Sequence, residues 1–218
     1  MTTTAPPTAP APTIATVGLD AAPSWLSERL AAGTHPDAQR AFDAARAVFI
    51  DGSRIDMTGL AASLGVDRTS LFRWVGNRDA LLSEVLWSLA VPTLVQADHA
   101  GAGLAGGERV ATVLTRFADG LITAEYFRAF LRREPARALR LLTTKESPIQ
   151  RRYTATAAWL VQRDLGDRPL GGAIAPDELA YLLVRLSESF TYADLISGDA
   201  PSVDRARTAF RLLLRVDG

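Results

Sequence analysis

Thr69, Ser70 and Arg73 fall on one side of a helix, with Arg68 and Phe72 on its flanks. These residue types can read the edges of base pairs. Arg bonds guanine with two parallel N–H groups, and Thr or Ser bonds a base edge or touches a thymine methyl. A helix carrying them fits the major groove of duplex DNA. Leu71, Trp74 and Val75 gather on the opposite side, so one side of this helix packs and the other is free to read. An ordinary solvated helix can carry the same polar residues, so the flanking sequence has to decide.

That flanking sequence, DMTGLAASLGVDRTSLFRWVGNRDALL from Asp56 to Leu82, predicts two short helices joined by a tight turn and followed by a third. Asp56 is placed to cap the first, where Leu60, Ala61 and Leu64 share a face. Gly65 tolerates the left-handed conformation that ends a helix, Val66 plugs the turn, and Asp67 caps the second helix. Arg78 follows, with Thr58 in the first turn and Arg54 just ahead of it as further candidates for phosphate contact. A longer helix should begin at His35 or Pro36 and run to Gly52, burying Phe42, Ala45, Val48 and Phe49. Together these make a three-helix head of about fifty residues, within the usual size of a small domain. The helix from Asp79 to about Leu94 leads away from the head as a lever, and Pro92 should kink or end it.

This segment resembles the helix-turn-helix DNA-binding domain of TetR-family bacterial regulators. Under that resemblance Phe72 stands where the family has a phosphate-contacting Tyr, Trp74 where it often has His, Val75 where it has Phe, and Arg78 where it has a phosphate-binding Lys. Arg78 keeps the cationic role. Phe72 lacks the phenol hydroxyl and should pack against sugar or protein, leaving the indole N–H of Trp74 to replace one donor. The implied fold is all-α: a three-helix helix-turn-helix head on a helical ligand-binding and dimerisation body.

Composition bounds the remainder. The 218 residues contain no Cys, which excludes a disulfide framework or thiolate metal site and fits a cytoplasmic protein. The formal net charge is zero, and residues 34–83 balance six Arg against six Asp, so gross charge argues against a promiscuous nucleic-acid coat protein. An operator binder that relies on a few placed arginines remains compatible. Residues 1–22 read as a disordered Thr/Ala/Pro tail without a signal peptide, 23–83 as an N-terminal segment plus the head, and 84–218 as the body. A short helix within SWLSERL could pack on that body. No run looks long enough to span a bilayer without charge or Pro, which argues against a membrane role.

Helical patterns in the body cover Gly107 to Ala124, Glu125 to Leu142 with a break near Pro135, Pro148 to Leu165, Pro176 to Ile196 and Ser202 to Val216. The first of the last two carries Leu179, Leu182, Leu183, Leu186, Phe190 and Ala193 on one face and Tyr181, Val184 and Leu195 on the other side, and Val203, Ala206, Phe210 and Leu213 give the second a like apolar demand. Such helices need two partners, either an intramolecular core or a four-helix interface with a twin chain. A homodimer would set two recognition helices one DNA turn apart on a palindromic double-stranded operator. Arg185 and Glu188 should pair at i, i+3, or Glu188 and Tyr192 should face a ligand cavity completed by Trp87, Phe117, Phe127, Phe130 and Tyr153, with Tyr126 and Trp159 as further aromatic candidates.

FLRREPARALRLLTT, PIQRR and YLLVRLSESFTYADLISGDAPSVDRA resemble the body of the QsdR-like branch, regulators of quorum-sensing signal degradation. That resemblance implies a repressor of a lactonase-type gene, released by a small acyl or lactone-bearing effector and needing no cofactor. Arg132, Arg133, Glu134 and Gln150 read as structural anchors of the body. An enzyme is not expected: His35 and His99 stand far apart, and there is no phosphate loop, metal-spaced cluster or G-x-S-x-G elbow. The remaining rival, a helical protein-interaction adaptor without an effector, has no need of Arg68, Thr69, Arg73 and Arg78 in this arrangement.

Overall fold

The computed structural model describes residues 12–167, 170 and 173–216. Two short helices open the chain, α1 (Ile14–Ala21) and α2 (Trp25–Ala31), followed by the head helices α3 (Pro36–Ile50), α4 (Met57–Ser63) and α5 (Arg68–Val75). A long helix, α6 (Arg78–Ala100), connects them to α7 (Gly106–Thr123), α8 (Glu125–Arg133), α9 (Pro135–Thr143), α10 (Pro148–Leu165), α11 (Pro176–Thr191), α12 (Ala193–Ile196) and α13 (Val203–Leu213). Among the described residues the only β-pairing is an isolated bridge between Leu170 and Ile174. The chain is all-α.

Local chemistry sets most of these boundaries. Proline opens α3, α9, α10 and α11, where its missing N–H costs nothing and its fixed φ suits the first turn. Asp56, Asp67 and Asn77 cap α4, α5 and α6 through their side-chain oxygens.

The interior forms two clusters that meet along α6. Leu81, Leu82, Val85 and Leu86 join the head to α8 and α9, packing with Phe49, Leu71, Phe130 and Leu141. One residue further on, Trp87, then Leu94 and Ala97, enter the second cluster with α7, α10, α11 and α13. A border at residue 83 therefore cuts a continuous helix, and the head shares its core with the body.

Three expectations change. Residues 12–22 are not a disordered tail: α1 lies on α10 and α6, with Ile14, Gly18 and Ala22 buried, while the rest of the expected tail, residues 1–11, lies outside the described residues. Pro92 does not end α6. It sits on the exposed face, where water can take the Ser88 carbonyl that the ring leaves without a donor. With Pro92 inside the helix, Arg78–Ala100 is long and apolar enough to cross a membrane by length and composition, contrary to the reading of the sequence. Half of its apolar window is buried against the rest of the chain, as befits the central helix of both clusters.

Candidate nucleic-acid interface and ligand cavity

The turn between α4 and α5 is built as its residues require. The Asp56 carboxylate accepts the Gly59 N–H at 2.7 Å, and Asp67 accepts the Ser70 N–H at 2.8 Å and the Ser70 hydroxyl at 2.7 Å. These bonds hold both carboxyls below the usual Asp range, chiefly through Gly59 for Asp56 and the Ser70 side chain for Asp67, so both caps stay ionised. Gly65 takes φ +70°, which a side chain would strain.

Leu71 and Val75 are fully buried, fixing the rotation of α5 so that Arg68, Thr69 and Arg73 are exposed with Thr58 and Arg54 nearby. Ser70 is half-buried and its hydroxyl already serves the cap, which leaves less of it for a base. Phe72 packs partly on the head core and carries the Arg68 guanidinium 5.2 Å from its ring centroid, so it positions a cation. Trp74 is likewise half-buried against the core.

Arg78 differs most from its expected free, phosphate-facing role. Its Nε donates to the Ile55 carbonyl at 2.5 Å, and its two terminal nitrogens donate to both carboxylate oxygens of Glu134 at 2.6 and 2.5 Å. Arg133 donates to the Gly52 carbonyl, while Arg137 and Arg140 hold Asp79. The anchor role read for Arg133 and Glu134 is thus a polar seam joining α8 and α9 to the head.

An apolar cavity of about 40 Å³ lies between α6, α7, α8 and α10, with Trp87, Phe117, Phe127, Tyr153 and Tyr192 on its walls. Leu86, Leu89, Ala90, Leu121, Tyr126, Leu142 and Ile149 complete the lining, and no charged side chain reaches it. Leu86 and Leu89 stand next to and two residues from Trp87 on α6, a local signal that the aromatic pattern alone did not use. Three expected wall residues lie elsewhere. Trp159, a further aromatic candidate, packs partly buried on the second core cluster with the Arg163 guanidinium 4.5 Å from its ring centroid. Phe130 turns toward the head and packs on Phe49 with ring centroids 5.6 Å apart, because α8 presents Phe127 and Phe130 to different neighbours. Glu188 is buried behind the wall and binds Arg185 at 2.8 Å, the i, i+3 pair expected from spacing. The Tyr153 hydroxyl donates to the Ser187 hydroxyl at 3.0 Å, and the indole N–H of Trp87 is buried without a hydrogen-bond partner.

Burial raises the Glu188 carboxyl to about 7, against the opposing charge of Arg185. A carboxyl raised in the folded state contributes stability that is complete below its ordinary value of 4.5 and is lost as pH climbs through 7. Glu188→Gln should therefore gain on the wild type between those limits, approaching a difference on the order of 3 kcal/mol. Melting temperatures of the two proteins across that range check this; a constant difference would refute it.

Residues 105–215 match the family described as tetracyclin repressor-like, C-terminal domain. The chain belongs to the TetR family. Among solved structures, this TetR-family protein is similar to the R. erythropolis transcriptional repressor QsdR, also described as from the TetR family. The two are 29% identical with a TM-score of 0.73, over 85% of this chain and 97% of that one. A comparison with curated proteins found no match. The TetR-family chain is a DNA-binding regulator of the QsdR kind and not an enzyme.

Proposed function

We propose that this chain is a homodimeric cytoplasmic repressor that reads a palindromic operator with α5 and leaves it when an uncharged acyl or lactone-type effector occupies the cavity. One observation carries the reading: capped α5 buries Leu71 and Val75 completely while exposing Arg68, Thr69 and Arg73. Dimerisation is supported by the outer side of α11 and α13, where Tyr181 is 47% and Leu212 76% exposed although their own helices belong to the core.

The cavity lining favours an apolar, uncharged effector, and the unpartnered Trp87 N–H offers one donor to a carbonyl. At about 40 Å³ the cavity is far below the ~300 Å³ of the smallest usual ligand pockets. An effector must therefore widen it by moving α6, α8 or α10. Movement of α6 changes the separation of the two heads, and the effector releases DNA only if it prefers that wider state.

The test starts from a duplex enriched by the wild-type protein from a random DNA pool. Arg73→Ala should weaken binding at fixed salt by about 1–3 kcal/mol per half-site, roughly 5- to 150-fold each, with little change on unrelated DNA. Unchanged affinity removes α5 from the reading role. Leu212→Glu should sediment as a monomer, and a persisting dimer places the interface elsewhere. An acyl lactone should release the duplex while the fatty-acid anion of the same chain length does not; equal effects would refute the uncharged class.

A further inference from the structure

The cleft between head and body is lined by Asp56, Thr58, Arg68, Arg78, Asp79 and Arg137 among others, has a volume of about 400 Å³ and opens beside the exposed side of α5. Its charges are matched by Glu134. The guanidiniums of Arg68, Arg78 and Arg137 face the carboxylates of Asp56 and Asp79, and Glu134 supplies the third negative charge from the junction of α8 and α9. Asp56 is committed to its cap and Asp79 to Arg137 and Arg140. Glu134 is the carboxylate that takes Arg78, bidentately, with Arg137 at 3.1 Å and the more exposed Arg54 at 3.9 Å on the same group.

Arg78 is the first residue of α6, where the helix field disfavours a cation and favours an anion. Without Glu134 the cleft would hold one surplus positive charge, two donor-rich guanidiniums and room for an anion. A DNA phosphate offers the same oxygen geometry to a guanidinium as a carboxylate does. We propose that Glu134 is a built-in substitute for a DNA phosphate: it fills a backbone-binding site made by Arg78 of the head and Arg137 of the body, and DNA must displace it to gain that contact. This rests on the reading of α5 as the DNA-facing helix and adds to it a second contact, contributed partly by the body.

Hydrogen bonds from Arg78 hold the Glu134 carboxyl below the ordinary Glu range, so the substitute stays charged at neutral pH. Because phosphate contacts carry no sequence information, the plug acts on all DNA alike, lowering stray binding without altering base preference.

Glu134→Gln, which keeps shape and removes charge, tests the proposal against the enriched duplex and an unrelated one of equal length. The expected result is tighter binding to both by the same factor, about tenfold at low salt, and loss of that gain when Arg78→Ala is added. Arg78→Lys, which keeps the charge but cannot be gripped by two parallel bonds, should also tighten binding, and it stands in should Glu134→Gln fold poorly by thermal melting. Binding equal to or weaker than wild type in the folded variants overturns the plug. Arg73→Ala in the same titration separates the two readings: if it leaves the enriched duplex unaffected, the assignment of α5 fails. If Arg73→Ala weakens binding while Glu134→Gln does nothing, only the role of Glu134 fails.

Discussion

Arg152→Ala lowers the melting temperature by about 6–20 °C, the consequence of ~3–5 kcal/mol at ~2–4 °C per kcal/mol for a chain of this size. The side chain is entirely buried, yet every nitrogen of its guanidinium is used. Nε donates to the Ala22 carbonyl at 3.0 Å, the terminal nitrogens to both Glu84 oxygens at 2.9 and 3.0 Å, and one of them also to Ser27 at 3.3 Å. Ser24 completes the cluster with a 2.6 Å bond to Glu84. Removing the guanidinium strands a carboxylate in the interior, and the desolvation penalty of that stranded charge dominates the loss.

A double replacement of Arg152 by Met and Glu84 by Leu removes both charges and should recover most of the stability, since a buried ion pair and an apolar pair of similar volume are often close in free energy. Calorimetry of the two single variants and the double decides the matter. A single variant costing under about 1 kcal/mol, or a double as poor as the singles, would mean that the cluster is hydrated rather than buried.

Gly18→Leu displaces α1 from the body. A Cβ at Gly18 would stand 2.5 Å from Cζ2 of Trp87, 2.7 Å from the Thr156 hydroxyl and 2.8 Å from the Arg152 carbonyl, so even the first added carbon has no space. The carbonyl belongs to the backbone of α10 and cannot retreat, and displacing Trp87 would carry its ring away from the Arg152 guanidinium, 5.7 Å from the ring centroid. Overpacking of this kind costs about 1–3 kcal/mol, and the cheapest relief is to lift the short helix off. The variant should become open to proteases ahead of Ser24 and shift Trp87 fluorescence toward that of hydrated indole. Unchanged cleavage and emission would show that the chain absorbs the added side chain in place.

These two effects involve the segment least legible from sequence. The stretch IATVGLDA carries no charge in its first turn and a glycine in its middle, which is poor helix chemistry by itself. It becomes helical because its small face fits against α10 and α6, and burial there outweighs the weak propensity. Arg78 went the other way. Its place at the start of α6 was evident, but its carboxylate partner lies 56 positions along the chain and has no spacing rule to announce it. Phe130 and Glu188 were both recognised as inward-facing, and only packing shows that one turns to the head and the other stops behind the cavity wall.

Asp56, Gly65 and Asp67 determine the helix-turn-helix by themselves, as the prolines determine where α3, α9, α10 and α11 begin. Caps, turns and periodic apolar faces act on backbone groups within about one helical turn, so their signals are complete in a local window of sequence. Tertiary structure alone decided that Glu134 holds Arg78, that Glu84 and Arg152 clasp the N-terminal helices, and that the aromatic residues leave only a small cavity. Those outcomes depend on which distant surfaces exclude water together, and burial then makes each charged group take whichever partner the fold brings within reach.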